Sequence, residues 1–418
     1  MSLPLLFTTL LKHYTEGPPG KSWDLKFHLT VAAMKNDDSI FKLPIEESQK
    51  KYGEYVGQVN DPSNIVIKEV ILDERYRQKS RTHLEKVLKQ YEDVLDEKWK
   101  EPSDGSMENG NFTSKYAEYA KARVFSIDYR LSPQNQFPAA LCDSIAAYLY
   151  LIDPGSDAGF EPINPKKIVF AGESAGGGLT FATLLFLRDA GLPLPGGAFG
   201  MSPWVDLTHS MPSFWDAEVD KADFIPKLLG FRKIGPSSPV ADVFIANAKA
   251  LSDKIALKKP TIVGHPSFTE VPRVQLYCAN EAMAIPYISP KLAESLGDLP
   301  PILCQVGGLE RFRDESPFKN PTKVVLEVYD DMIHVWPLLT SSKPSQVAFE
   351  RFGKFVNCVT SIDGENISIN SLKEGIVAPS SSFIAMRIGT KGEIRELNET
   401  DRDCLKWDKI GIVPKEEV

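Results

Sequence analysis

Residues 172–178, with the sequence Gly-Glu-Ser-Ala-Gly-Gly-Gly, place one serine among small residues and between two apolar stretches. The preceding stretch, 168–171, has the composition of a buried strand, and residues 179–187 have that of a buried helix. A serine in this context is typical of a nucleophile on a strand-to-helix turn. A phosphate-binding loop is disfavoured because no Walker lysine follows. The pattern therefore predicts that Ser174 is a nucleophile.

The turn around Ser174 needs small neighbours, since it is strained and the flanking chains approach closely. Gly172 and Gly176 would meet that need. The same turn would expose the serine hydroxyl and place the backbone amide of Ala175 at a helix N-terminus, directed at developing negative charge. We therefore expect Ala175 to donate one hydrogen bond to an oxyanion.

A serine hydroxyl is a weak nucleophile until a base removes its proton, so the sequence should supply a histidine further along. His334 follows the apolar run 324–329 across a short acidic loop, where the last strand of such a sheet presents its base. The other five histidines lie in expected helices, loops or an insertion: His13, His28, His83, His209 and His265. The position of His334 favours it as the general base.

The third member of such a site is a carboxylate that orients the imidazole, between the serine and the histidine in the chain. Glu310 is the first acid after the apolar run 302–306, and we expect it to take this role. Asp314 is the alternative, unless it forms a surface ion pair. The two aspartates immediately before His334 are too near it in sequence to be the orienting group.

Apolar runs alternate with helical patterns along the chain. The expected strands are 65–72, 124–129, 168–171, 198–201, 302–306 and 324–329. Strands separated by helices predict an α/β fold with a doubly wound, mostly parallel sheet. Around it we expect a helical N-terminal segment at 1–62, a main unit at 63–360 with an insertion at 207–300, and a polar appended extension at 361–418.

The composition limits the possible partners. The chain has 418 residues, 48 basic against 56 acidic, and a net charge of −8, which disfavours nucleic acid or anionic lipid as the main partner and favours a small neutral or apolar substrate. Its five cysteines form neither a zinc pattern nor a disulfide framework, which favours the cytoplasm.

Residues 3–11 form an apolar stretch that is too short to span a membrane and makes a poor signal peptide. They fit either a helix lying on a membrane or lipid droplet, or a cap helix over a site.

Five ordered motifs resemble the hormone-sensitive-lipase-like branch of the α/β-hydrolases, known as fold-3, and are similar to fungal members that include steryl acetyl hydrolases. They are Asp-Tyr-Arg-Leu-Ser-Pro at 128–133, Phe-Pro-Ala-Ala at 137–140, Gly-Glu-Ser-Ala-Gly-Gly at 172–177, Ser-Pro-Trp-Val-Asp-Leu at 202–207 and Met-Ile-His-Val at 332–335. The resemblance implies an α/β-hydrolase fold and hydrolysis of apolar esters without a metal or organic cofactor. It implies Ser174, Glu310 and His334 as nucleophile, acid and base, with the N-terminal segment and the insertion forming a cap.

The sequence departs from that branch in one respect. The branch carries a His-Gly-Gly-Gly loop, whose amides complete the oxyanion hole, after a buried strand that precedes the strand equivalent to 124–129. Here residues 105–114 read Gly-Ser-Met-Glu-Asn-Gly-Asn-Phe-Thr-Ser, and neither that loop nor an apolar strand to hold it is found before residue 124, so we expect one strand of the sheet to be missing there. Gly110 within them is the alternative source of a second amide, although a solvated turn fits better. We therefore expect an impaired esterase, an inactive relative that binds an apolar ligand or partner, or a sequence that lacks a segment.

Overall fold

A computed structural model describes most of the chain. The described residues are 2–37, 42–56, 68–96, 99–100, 113–226, 236–256, 275–316, 323–361, 374–379 and 382–397. Expectations that fall elsewhere, including Gly110 and the rest of 101–112, lie outside the described residues.

The described residues contain one six-stranded sheet, in which the strands follow one another in chain order. Its strands are β1 (Val169–Glu173), β2 (Gly197–Met201), β3 (Ile302–Gly307), β4 (Val324–Tyr329), β5 (Phe383–Ile388) and β6 (Ile394–Glu396). The first five are parallel, and β6 pairs antiparallel with β5. The predicted α/β class with a mostly parallel sheet is therefore confirmed.

Helices precede, connect and follow the strands. They are α1 (Leu3–Thr15), α2 (Leu25–Asn36), α3 (Ile45–Val56), α4 (Glu74–Leu88), α5 (Thr113–Ala120), α6 (Ala139–Ile152), α7 (Ala175–Asp189), α8 (Pro212–Trp215), α9 (Ala217–Ala222), α10 (Pro239–Ala256) and α11 (Lys343–Val359). Short 3₁₀ helices lie at Lys89–Val94, Pro165–Lys167, Glu281–Ala284, Pro290–Leu292, Arg313–Glu315 and Trp336–Leu338.

The two faces of the sheet are covered by different helices. Phe181 and Leu184 of α7 pack with Ala198, Ile302 and other strand residues in one buried cluster. On α11, Phe349, Phe352 and Phe355 belong to a second cluster, with Phe199 and Leu303. Strands buried on both faces are made of nearly continuous apolar residues, as β3 and β4 are. This double cover holds the carboxyl ends of β1 to β4 in fixed positions.

The predicted strand at 124–129 is wrong. These residues belong to no strand, and Val124 and Phe125 are 43% and 37% exposed. Within the described residues, β1 pairs with β2 alone and is therefore an edge strand. An extended segment becomes a strand only where a neighbour takes up its backbone hydrogen bonds, and no described strand pairs with residues 124–129.

Two further expectations about strands, at 65–72 and 168–171, also need correction. Residues 68–72, the described part of the expected strand 65–72, form no strand, and Ile71 is 90% exposed. The expected buried strand at 168–171 exists as β1, but its residues are half-buried and Ala171 is exposed. β1 lies at the edge of the described sheet, which leaves it less covered than the interior strands β2 to β4.

The interpretation of 361–418 as an appended extension overlooked two strands. β5 continues the parallel sheet, with Phe383 opposite Val324 and Ile388 opposite Tyr329. β6 then turns back along β5. The short apolar run that forms β5 is present in the sequence, but the polar residues around it concealed it. Consequently β4 is an interior strand.

The N-terminal segment is helical where it is described, as expected, and it is anchored to the main unit. Between α1 and α2, the Trp23 indole N–H donates to the carbonyl oxygen of Asp331, and the Ser22 amide donates to an Asp331 carboxylate oxygen at 2.8 Å. Asp331 lies three residues before His334. Within the described residues, no helix is both long and apolar enough to cross a membrane.

Candidate active site

Ser174 lies on the turn between β1 and α7. Its backbone has φ 52° and ψ −120°, a left-handed conformation that is rare for a residue with a side chain. A Cβ atom on Gly172 would lie 2.3 Å from the carbonyl oxygen of Gly176, so only glycine fits at position 172. A Cβ atom on Gly176 would have no heavy atom of another described segment within 4 Å. Among the described residues, the steric need that we expected at both glycines therefore exists only at Gly172.

The structure brings His334 against Ser174. The Nε2 atom of His334 is 2.8 Å from the Oγ atom of Ser174, although 160 residues separate them in the chain. His334 is 2% exposed, on the loop after β4, and Phe312 packs edge-on against its ring at a centroid distance of 5.0 Å. A neutral imidazole in this position can accept the serine proton.

Glu310 lies on the opposite side of the imidazole. Its Oε1 atom is 3.9 Å from Nδ1 of His334, and both atoms are buried without a hydrogen-bond partner. Its other oxygen, Oε2, accepts from the Gly307 amide at 2.7 Å and from the Ser202 hydroxyl at 2.6 Å. A modest side-chain rotation would bring Oε1 and Nδ1 within hydrogen-bond distance.

The alternative acid, Asp314, has other contacts. It is fully buried and accepts from the Ser213 amide at 2.9 Å, and Arg313 pairs with it at 2.8 Å. Asp330 pairs with Arg387, and Asp331 holds the N-terminal segment. Of the carboxylates considered from the sequence, Glu310 is therefore the one that faces the imidazole.

Two residues near the site were missed by the sequence reasoning. Ser202 follows β2 and contacts Glu310, and Asp223 accepts from the Arg311 amide at 2.8 Å. The pKa of Asp223 is raised to about 6, and burial is the main cause. Glu310 nearby also raises this pKa, whereas His334 lowers it. Ser202 belongs to a motif after an expected strand, and the carboxyl ends of parallel strands meet at one edge. That signal could have identified Ser202, whereas nothing in the sequence marks Asp223.

An oxyanion could bind at the start of α7. Ala175 is the first residue of this 15-residue helix, so its amide lies at the positive end of the helix dipole. Ala175 is exposed, beside the edge of the sheet. Gly110, the alternative donor, lies outside the described residues.

A cavity of about 580 Å³ lies away from these residues. Leu84 of α4, Phe137 and Phe244 of α10 contribute to its walls, whereas Ser174, Glu310 and His334 do not. The insertion thus lines this cavity through α10.

Comparisons with known proteins agree with the motifs. Residues 104–263 match a family model described as the α/β hydrolase fold. An acetyl-hydrolase of Streptomyces hygroscopicus is 28% identical over 265 residues, which are 60% of this chain and 70% of that protein. The putative acetyl-hydrolase LipR of Mycobacterium tuberculosis is 42% identical over 80 residues, which are 19% of this chain and 24% of that protein.

A solved structure gives a similar match. EstE7, a hormone-sensitive-lipase homologue from a metagenome library, is 28% identical, with a TM-score of 0.42, over 60% of this chain and 71% of its own. The resemblance to the hormone-sensitive-lipase-like branch, stated from the motifs, is confirmed.

Proposed function

Because this chain is related to the hormone-sensitive-lipase-like α/β-hydrolases, we propose that it is a serine hydrolase of carboxylic esters. Ser174 is the nucleophile, His334 the general base and Glu310 the acid that orients the imidazole. The observation that carries this proposal is the 2.8 Å contact between Ser174 Oγ and His334 Nε2, at a turn that presents the hydroxyl.

The chemistry proceeds in two stages. The Ser174 oxygen attacks the ester carbonyl as its proton passes to His334 Nε2, and the resulting imidazolium then gives this proton to the departing alcohol. Water repeats the sequence on the acyl-enzyme and regenerates the serine. Glu310 stabilises the imidazolium in both stages, once Oε1 has moved from 3.9 Å to hydrogen-bond distance of Nδ1.

We propose that the Ala175 amide, at the first residue of α7, donates to the oxyanion formed in each stage, and that the described residues hold no second donor such as the His-Gly-Gly-Gly loop would supply. Loss of one oxyanion donor typically costs about 10²–10³ in kcat. We therefore propose an esterase whose turnover is depressed by about that factor relative to relatives that carry the His-Gly-Gly-Gly loop. Activity as high as theirs would show that another segment, such as the one containing Gly110, supplies the second donor.

The acyl and alcohol preference is tested with a series of p-nitrophenyl esters from acetate to octanoate, together with a steryl acetate. We propose an apolar ester, including a sterol-type ester, as the substrate class, since the motifs are similar to those of steryl acetyl hydrolases. Hydrolysis should disappear in Ser174→Ala, because every covalent step passes through that hydroxyl. If pure Ser174→Ala turned over like wild type, the assignment would fail.

A second candidate function is binding without turnover. Among the described residues no strand pairs with the outer edge of β1, directly before the nucleophile, and this favours binding without turnover. The two candidates are separated by a fluorophosphonate probe, which forms a bond to an activated serine. If the protein is an esterase, the fluorophosphonate labels Ser174. If it only binds, the fluorophosphonate leaves Ser174 unlabelled, although the protein still binds a non-reactive phosphonate analogue of the probe.

We further propose that α1 brings the enzyme to lipid-borne esters. Its outer face is exposed and apolar along the whole helix and comprises Leu3, Leu6, Phe7, Leu10, Leu11 and Tyr14. Residues 1–36 carry four lysines and two acidic residues, a local positive charge in an acidic chain, which favours an anionic bilayer.

Co-sedimentation with phosphatidylcholine–phosphatidylserine vesicles tests this contact. Wild type should bind, and the double variant Leu6→Ser, Phe7→Ser should not, whereas Val243→Ser, at an exposed valine of α10, should bind like wild type. Equal binding by the double variant, or burial of α1 in a dimer in solution, would refute the contact.

A further inference from the structure

Ser202 occupies a strained, fully buried position at the carboxyl end of β2. It is 0% exposed, and its φ of 47° lies in the left-handed region that side chains rarely adopt. Its amide donates to the carbonyl oxygen of Gln305 on the neighbouring strand β3 at 2.7 Å. Such strain persists only where the surrounding structure imposes it, and it concentrates at functional sites.

The hydroxyl of Ser202 makes two hydrogen bonds, and the direction of each is fixed. It accepts from the Val335 amide at 3.0 Å, a group that can only donate. Its single proton is therefore available for Glu310 Oε2, at 2.6 Å. One hydroxyl thus joins the loop that bears Glu310 to the residue that directly follows His334.

These bonds determine which oxygen of Glu310 faces the imidazole. Oε2 receives both the Ser202 hydroxyl and the Gly307 amide, whereas Oε1 has no partner and lies 3.9 Å from the equally unpartnered Nδ1 of His334. The arrangement leaves Oε1 as the oxygen for the imidazole. Val335 also has a left-handed φ, 47°, so the bond from its amide holds the histidine loop in a second strained conformation.

We propose that Ser202 is a positioning residue of this site, which holds Glu310 and His334 in register with each other. This proposal rests on the proposed function and adds a fourth residue to it. Ser202 acts through Glu310 and the His334 loop and does not touch the reacting atoms.

A merely structural bond of the same kind exists in this chain and supplies a matched control. The hydroxyl of Ser210, also buried, donates to Asp206 Oδ2 at 2.6 Å, and among the described residues no hydrogen bond or ion pair joins Ser210 or Asp206 to His334 or Glu310. Ser202→Ala and Ser210→Ala therefore each remove one buried hydroxyl–carboxylate hydrogen bond. Only the first should alter the catalytic groups.

The experiment compares wild type, Ser202→Ala and Ser210→Ala. Their melting temperatures report folding, and the rate of Ser174 labelling by a fluorophosphonate reports nucleophile activation. With p-nitrophenyl butyrate, Ser202→Ala should lower kcat and the labelling rate about tenfold or more with little change in KM, because a hydrogen bond to a charged group is lost. Ser210→Ala should keep the wild-type rate.

A second measurement does not need turnover. Proton NMR at acidic pH should show a downfield resonance from the Nδ1 proton of His334 in wild type and in Ser210→Ala. The resonance is assigned by its absence in His334→Gln. It should move upfield in Ser202→Ala, because Glu310 is no longer held towards it. An unchanged resonance in a folded Ser202→Ala protein would overturn the role of Ser202. Absence of labelling and hydrolysis in wild type would instead overturn the proposed function.

Discussion

At the scale of single residues, the two glycines that flank the nucleophile differ in what they tolerate. Gly172→Ala would place a Cβ atom 2.3 Å from a backbone oxygen, and the turn must shift to accommodate it. Gly176→Ala would meet open space within α7 and gain helix propensity. We expect the first variant to lose about 1–3 kcal/mol of stability and the second to gain up to about 1 kcal/mol.

Urea unfolding of both glycine variants, followed by far-ultraviolet circular dichroism, measures these changes. If Gly176→Ala proved as damaging as Gly172→Ala, a contact with residues outside the described part of the chain would have to occupy the space above Gly176.

The two candidate acids should separate kinetically. Glu310→Gln retains the volume but weakens stabilisation of the imidazolium, so kcat should fall about 10²–10⁴-fold with KM little changed. Asp314→Asn should leave kcat within a few-fold of wild type and lower the melting temperature, because Asp314 supports Ser213 and Arg313. Steady-state kinetics on p-nitrophenyl butyrate decide the matter. A larger loss of kcat in Asp314→Asn would exchange the two roles.

Asp223 should make stability depend on pH in a recognisable direction. Its pKa is raised by burial from 3.8 to about 6, so the folded state favours the neutral acid. The stability that it contributes is therefore present in full below pH 3.8 and is lost as the pH rises to about 6. We compare the free energies of unfolding of wild type and Asp223→Asn. The difference, wild type minus variant, should fall by about 3 kcal/mol between pH 3.8 and about pH 6. A flat or rising difference would contradict the assignment.

At the scale of elements, the position of a strand in the sheet should determine its protection. Among the described strands, β1 lies at the edge of the sheet and has an exposed centre, whereas β3 lies between two partners and is buried throughout. We expect amides of 169–173 to exchange with deuterium at least about tenfold faster than those of 302–307, because edges open locally at lower cost. Mass spectrometry of peptic peptides provides the measurement. Equal protection would mean that a segment outside the described residues pairs with β1.

The elements also show which parts of the structure were predictable. Runs such as 302–306 and 324–329 became β3 and β4 because their residues are apolar on both faces, as interior parallel strands require. Residues 124–129 have a similar composition, but whether they join a sheet depends on a neighbour that composition does not report. β5 was missed because six residues within a long polar stretch carry little periodic signal.

The proximity of the candidate site residues was more predictable than the sheet. Each of Ser174, Glu310 and His334 follows a strand closely, and the carboxyl ends of parallel strands converge on one edge. The 3.9 Å separation at Glu310 and the hydroxyl of Ser202 depend on side-chain packing that no spacing in the sequence encodes.

At the scale of the whole molecule, the C-terminal strands should be essential for solubility. A chain that ends after residue 361 lacks β5, which leaves the buried strand β4 with an open edge. We expect this truncation to be recovered mainly as aggregate, and a chain that ends after residue 397, which keeps both strands, to remain soluble with a melting temperature near that of the full chain. Centrifugation and calorimetry of the two truncations test this. A soluble, cooperatively folding 1–361 chain would show that β5 is dispensable.

The attachment of the N-terminal segment to Asp331 links it energetically to the loop that carries His334. Ser22 and Trp23 donate to Asp331, which begins the turn into that loop. If acylation of Ser174 rigidifies this loop, the two events are thermodynamically linked. Whatever factor the attachment of the N-terminal segment adds in favour of the rigid loop, acylation must add to the strength of the attachment. Cleavage of residues 16–24 by a protease should then slow once Ser174 is acylated, so the rate of cleavage at one end of the chain would report the occupancy of the site.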